Sequence, residues 1–222
     1  MRPFETLPTI HSFEDLPKFK INLPAKPSPD NSCMQASVGM ILEALSPGDV
    51  PDLKTLELAS HKREHLGTWP GWILSWLHDK GYSVDLYSNI DWNRFPYEPL
   101  ELLERLTSND SSVEAEEAST YLRDHNLQDG AESTKEMLAR GILKESEIEI
   151  EEVFRRVQAG EFALVLLDFN HWVPITGFDG TNVFYNDPQK EGTTVDKKES
   201  LEDFLKRVKK FELFTVAIIG KK

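Results

Sequence analysis

A single cysteine, Cys33, stands in a chain of 222 residues. One thiol forms no internal disulfide and builds no multi-cysteine zinc site. No run of about 18 apolar residues occurs, which excludes a membrane-spanning helix. The opening Met1-Arg2-Pro3-Phe4-Glu5 lacks an apolar leader core, so no signal peptide is expected and the cytoplasm is the expected compartment. No repeat or low-complexity tract is present. Basic charge is scarce: 25 Lys and Arg face 38 Asp and Glu, a net charge of −13. Residues 98 to 152 hold 16 of the acidic and 5 of the basic side chains, so the rest of the chain is close to neutral. That balance argues against nucleic acid as a partner. A solvated helical face accounts for the acidic stretch, and steering of a basic substrate is the sharper alternative.

What is present fits one soluble α+β unit of ordinary composition, long enough to bury a sizeable core. Residues 1 to 30 carry Pro3, Pro8, Pro17, Pro24, Pro27 and Pro29 and read as an extended arm, with a short edge strand at Phe19 to Leu23. Pro29-Asp30-Asn31-Ser32 then supplies turn and N-cap residues. Met34, Val38, Ile41, Leu42 and Leu45 repeat with helical spacing, and Ser46-Pro47-Gly48 ends the run. Cys33 therefore sits in the first turn of a core helix, where free N–H groups and the helix dipole favour a thiolate. A small buried core residue is the plain alternative.

A second helix is expected from Asp52 to about His65, with His61 and His65 four apart on one face. No third ligand is near, so a solvated face is expected there and no metal. A third helix follows Thr68, with Pro70 near its start, Gly81 past its end, and Trp69, Trp72, Ile73, Trp76 and Leu77 as its apolar face. Tyr82 to Tyr87 alternates as a strand. Acidic helices are expected near 99–107, 112–126, 131–140 and 147–159, with a capping box at Ser111 and Glu114, His125 as a helix-end cap and Gly160 as a C′ residue. Phe162 to Leu167 reads as a strand buried on both faces. Ser200 to Lys209 is a helix capped by Ser200, and Phe211 to Ile219 is the last strand. Three parts follow: a cysteine-bearing helical half over 30–90, an acidic insertion over 98–160 and a largely antiparallel sheet over 161–222.

The stretch from His171 to Pro188 is the most informative. Two apolar runs flank Asp179-Gly180, a hairpin signal; a histidine opens the first strand and Asp187 closes the second. A histidine oriented by a carboxylate is half of a nucleophilic triad, and Cys33, 138 residues earlier, is the available nucleophile. Strand side chains alternate, so a two-residue turn would put His171 and Asp187 on opposite faces unless a bulge intervened. A three-residue loop, Phe178-Asp179-Gly180, instead sets His171 opposite Asp187 and calls for positive φ at Gly180.

These residues give the chain a likeness. Asn31 to Leu42, and His171 to Phe178 with Asn186-Asp187-Pro188, resemble the matching segments of papain-like cysteine peptidases of the double-glycine leader peptidase type, the bacteriocin-processing peptidases. The resemblance implies a papain-like fold and a cofactor-free enzyme with no metal. It implies Cys33 as nucleophile, His171 as general base and acid, and Asp187 as the orienting carboxylate, with Asn186 as the fallback. The family places a glutamine ahead of the cysteine for the oxyanion. Residues 24 to 32 contain none, so Asn31 and the Cys33 N–H are the candidate donors, and Gln35 a weaker one. Many family members have Cys-Gly where this chain has Cys33-Met34. Two functions follow: hydrolysis of a peptide or amide bond, with acyl transfer by the same residues as its variant, or a papain-like binding protein without efficient catalysis. The expected partner is a peptide or protein substrate.

Overall fold

The computed structural model describes residues 16–26, 28–101, 127–144, 148–188, 194–209 and 214–222. Helix α1 (Cys33–Leu45) buries Met34, Val38, Ile41, Leu42 and Leu45, the residues whose spacing predicts it. Helix α2 (Leu53–Ala59) starts where the Asp52 carboxylate accepts the Thr55 N–H at 2.8 Å. It stops well short of His65. The Lys62 N–H turns back to the Glu57 carbonyl, and His61 and His65 take φ values of 52° and 61°. Left-handed residues end a helix, so the two histidines share no helix face. Helix α3 (Pro70–Asp79) follows Trp69, and Gly81 lies beyond its end at φ 93°. Its Ile73, Leu74 and Leu77 are fully buried, whereas Trp72 is only partly covered and stacks on His61 at 4.1 Å.

The acidic middle contributes α4 (Leu127–Ala139) and α5 (Ile150–Gln158), shifted by a few residues from the expected spans. Residues 99–101 are helical; residues 102–107, the span 112–126, the Ser111–Glu114 box and His125 lie outside the described residues. Gly160, at φ 99°, ends α5 as expected. Helix α6 (Leu201–Val208) is capped by Ser200, whose hydroxyl oxygen accepts the Asp203 N–H at 3.1 Å.

Eight strands form one mostly antiparallel sheet, so the chain is α+β. They are β1 (Phe19–Lys20), β2 (Tyr82–Ser88), β3 (Leu143–Lys144), β4 (Phe162–Leu167), β5 (His171–Phe178), β6 (Asn182–Pro188), β7 (Thr194–Ser200) and β8 (Thr215–Lys221). The order is β3-β2-β8-β4-β5-β6-β7, with β1 against β5. The sheet is thus not confined to the C-terminal part: β2 from the cysteine-bearing half pairs with β8, and β3 lies parallel to β2. The final strand is described from Thr215, and residues 211–213 of its expected span lie outside the described residues; β1 is shorter than the expected arm strand. The charged β7 carries no strand pattern and forms as the partner of β6.

Helices cover both faces. Val165, Leu167, Val173, Ile175 and Val216 pack with α5 and α6 on one side. Leu164, Trp172, Ala217 and Ile219 pack with α1, α3 and Met137 on the other. Strand β4 feeds both cores, as its unbroken apolar sequence requires. Burying these aliphatic side chains, at about 25 cal/mol per Å² of apolar surface, fixes the orientation of α1 across the sheet.

The hairpin register differs from the expected three-residue loop. Phe178 pairs with Val183 and Gly177 with Phe184, but Ile175 pairs with Tyr185, so Thr176 is an extra residue on β5. The turn is closed by the Asp179 N–H on the Asn182 carbonyl at 3.1 Å, with Gly180 at φ 101° as expected. The Asp179 carboxylate accepts the Thr181 and Asn182 N–H groups, which hold it well below the usual carboxylate range. That turn alone would send His171 and Asp187 to opposite faces. The bulge at Thr176 shifts the alternation by one and returns them to the same face. The bulged residue is not left unpaired: its carbonyl accepts the Ile21 N–H at 2.6 Å. At Gly177, a Cβ would lie 2.9 Å from the Phe19 carbonyl oxygen, so β1 crosses where only glycine leaves room.

Candidate active site

Cys33 is the first residue of α1. Asp30 and Asn31 precede it at φ 45° and 58°, conformations that Asp and Asn tolerate better than other side chains. Ser32 is the N-cap, yet its side chain makes no cap bond. Its hydroxyl donates to Glu57 Oε1 at 2.8 Å instead. The first N–H groups of α1 are therefore left without the usual side-chain acceptor, at the place where the thiol is carried.

One turn further, the buried Ser37 hydroxyl donates to the Trp172 carbonyl at 3.0 Å. This bond ties α1 to the residue beside His171. A buried serine in a helix interior usually bonds its own helix; here it reaches β5, and no sequence signal announces that partner.

His171 opens β5 opposite Leu167. The turn between them places Asp168 and Phe169 at φ 49° and 63°. Arg207 at the end of α6 holds that turn: its Nε donates to Asp168 Oδ2 at 2.8 Å, and its carbonyl accepts the Asp168 N–H at 3.0 Å. The same guanidinium donates to the Tyr185 hydroxyl at 2.7 Å. Burial pushes Tyr185 up to about 12 despite that cation. Arg207 thus links the turn before His171 to the strand that bears Asp187.

His171 Nε2 lies 2.6 Å from Asp187 Oδ1. Cys33 is close enough to the same ring to favour its charged form. Since Nε2 is engaged by the carboxylate, Nδ1 is the nitrogen left for the thiol. Burial disfavours the charged imidazole, but the Asp187 bond and then Cys33 outweigh it and raise His171 to about 9. Burial likewise disfavours the Asp187 carboxylate; the His171 bond and charge, with Lys197 and Arg207 beyond, bring its pKa below the ordinary value. Each group is thus charged because the other is.

The three expected triad residues therefore converge, although their ends of the hairpin are joined by a bulge rather than a symmetric loop. Asn186 faces the other way. It is buried, and its amide donates to the Leu23 carbonyl at 3.1 Å and toward Met40 Sδ at 3.4 Å. Its position is that of an anchor between β6, α1 and the N-terminal arm. The Asn31 amide donates to the His65 carbonyl at 3.0 Å, and the Gln35 amide to Ser60 and Thr68 at 2.6 and 2.8 Å. Both are committed to the segment after α2, which leaves the backbone at the start of α1 as the donor set nearest Cys33. Among the described residues, no group of three or more His, Cys, Asp or Glu is placed to hold a metal ion, and no helix is long and apolar enough to cross a membrane.

No family model, curated protein or solved structure matches this chain. The functional reading accordingly rests on the site itself.

Proposed function

We propose that this protein is a cysteine-dependent hydrolase that cleaves a peptide or amide bond on a papain-like fold. The observation that carries the reading is the convergence of Cys33, His171 and Asp187 with an imidazole raised to about 9 by its two partners. The imidazolium is an acid already in its working form at neutral pH, beside the chain's one thiol.

Cys33 Sγ attacks the carbonyl carbon, and the oxygen takes up negative charge near the uncapped N–H groups of α1. His171 transfers a proton to the leaving amine, the C–N bond breaks, and a thioester remains on Cys33. Neutral His171 then takes a proton from water as the water oxygen attacks the thioester. The C–S bond breaks, the carboxylic acid leaves, and Cys33 and His171 return to their starting forms. Asp187 holds the ring through Nε2 and stabilises its charged form throughout. An amine in place of water at the second step would give acyl transfer with the same residues. A reducing cytoplasm suits a lone, working thiol.

One observation favours the second reading, a binding protein on this fold. The Asn31 and Gln35 amides are both engaged elsewhere, so neither is offered to an oxyanion. Labelling with iodoacetamide at neutral pH separates the two. The enzyme reading expects fast alkylation of Cys33, slowed about tenfold or more in His171→Ala, and peptide cleavage in a mixed peptide library that disappears in Cys33→Ala. Slow alkylation that is equal in the parent and His171→Ala would overturn it.

A further inference from the structure

The three polar side chains directly before Cys33, those of Asp30, Asn31 and Ser32, are all bonded to one segment, residues 57 to 68. The Asp30 carboxylate is the centre of this arrangement. Its Oδ2 accepts the His65 N–H at 2.9 Å, and its Oδ1 lies 2.8 Å from His65 Nδ1. The Lys62 ammonium is 3.6 Å from Oδ2, on a side chain only 5% exposed. Next to it, the Asn31 amide donates to the His65 carbonyl. His65 is thereby held at its N–H, its ring and its carbonyl by two consecutive residues. Ser32 reaches Glu57, and Gln35 reaches Ser60 and Thr68, so the grip continues on both sides of Cys33.

The backbone explains why such a grip is needed. Asp30, Asn31, His61 and His65 all occupy the left-handed region. Non-glycine residues persist there only when their surroundings hold them, and such positions concentrate at functional sites. The two strained stretches face one another and hold one another. The His65 side chain is 84% exposed, so its pairing with Asp30 buries little surface and adds little to fold stability.

We propose that Asp30 is a positioning residue for Cys33: by fixing His65 it locks the segment 57–68 against the entry to α1 and sets where the thiol stands relative to His171. This rests on the cysteine–histidine reading above. Asp30 touches no reacting atom. It acts through the backbone of Asn31 and Ser32, three residues before the thiol. A displacement of the order of 1 Å at a reacting group costs up to about a hundredfold in rate.

The test is the rate of Cys33 alkylation by iodoacetamide in the full chain, with urea unfolding measured beside it. Asp30→Ala is expected to slow alkylation about tenfold or more while unfolding stays cooperative. Asp30→Asn can still accept the His65 N–H and donate to a neutral His65 ring, so it is expected to recover most of the rate. Should Asp30→Ala not fold, His65→Ala serves in its place and is expected to slow alkylation in the same sense. Parent-like alkylation in Asp30→Ala, or in His65→Ala where that stands in, overturns the proposal, as does Asp30→Asn being as slow as Asp30→Ala. A parent whose alkylation ignores His171→Ala overturns the underlying reading and this proposal together. A parent that depends on His171 but not on Asp30 overturns this proposal alone.

Discussion

Replacing Asp187 by asparagine removes one charge and almost no volume, which makes it the sharpest probe of the pair. Its Oδ1 sits 2.6 Å from His171 Nε2 in a site where Asp187 is only 8% exposed. A hydrogen bond between charged groups contributes about 1.5–3 kcal/mol. Each pKa unit corresponds to about 1.4 kcal/mol, so losing the charge should lower the imidazole from about 9 by about 1–2 units. The amide can also turn and donate to Nε2, which forces the remaining proton onto Nδ1, the nitrogen left for Cys33. A base carrying its proton on that side cannot accept another, and turnover should fall by about 10²–10⁴-fold. The effect reaches stability. Because His171 is raised in the folded state, its contribution is fully present below pH 6.5 and is lost as pH rises through about 9. The ceiling of that contribution is about 3 kcal/mol. Ring-proton NMR titration and urea unfolding at pH 6 and at pH 9.5 measure both quantities. The parent should lose stability between those values, and Asp187→Asn should lose less. An imidazole that still titrates near 9 in Asp187→Asn would refute the coupling on which the site is built.

Asn186→Ala should leave Cys33 alkylation unchanged and lower urea stability by about 1–3 kcal/mol, because it orphans the buried Leu23 carbonyl; loss of alkylation without loss of stability would exchange the roles of Asn186 and Asp187. Gly177→Ala should cost about 1–3 kcal/mol, since its Cβ would meet the Phe19 carbonyl oxygen at 2.9 Å and displace β1. Limited proteolysis across residues 16–23 should then become faster than in the parent, and a parent-like melting temperature with an uncut arm would contradict the crossing described at the bulge.

Local chemistry was legible where the deciding forces were local. The α1 stripe, Pro70 and Gly81 around α3, Gly160 after α5 and the Ser200 cap stand where sequence spacing puts them, and β4 matches its apolar run residue for residue. Elements decided by distant partners were not. The sequence of α2 continues to favour helix toward His65, but Asp30 and Asn31 draw that segment away from the axis. Strand β7, Thr-Val-Asp-Lys-Lys-Glu-Ser, has no apolar alternation and exists because β6 offers it an edge. The shared face of His171 and Asp187 was legible from the chemistry they would do, whereas the extra residue that produces it was not. Nothing in Ile175-Thr176-Gly177 marks a bulge until the Ile21 N–H and the Phe19 backbone are seen against it. Ser37 and Arg207, which hold the two halves of the site, bond to residues more than 20 positions away in sequence.

The place of β8 has a consequence for how the molecule is made. It pairs with β2 on one edge and β4 on the other, so Thr215–Lys221 is the seam between the strand that follows the cysteine-bearing helices and the strands that carry His171 and Asp187. A ribosome delivers these pieces in order, and the seam comes after all of them. Until it emerges, the growing chain holds two separate sheet fragments, each with an open edge. Closing the β2–β8 pairing joins residues as far apart as Tyr82 and Lys221, a slow, long-range step. The nascent chain therefore has no completed sheet before Thr215–Lys221 is made, and a chain cut before Thr215 would present exposed strand edges in its place.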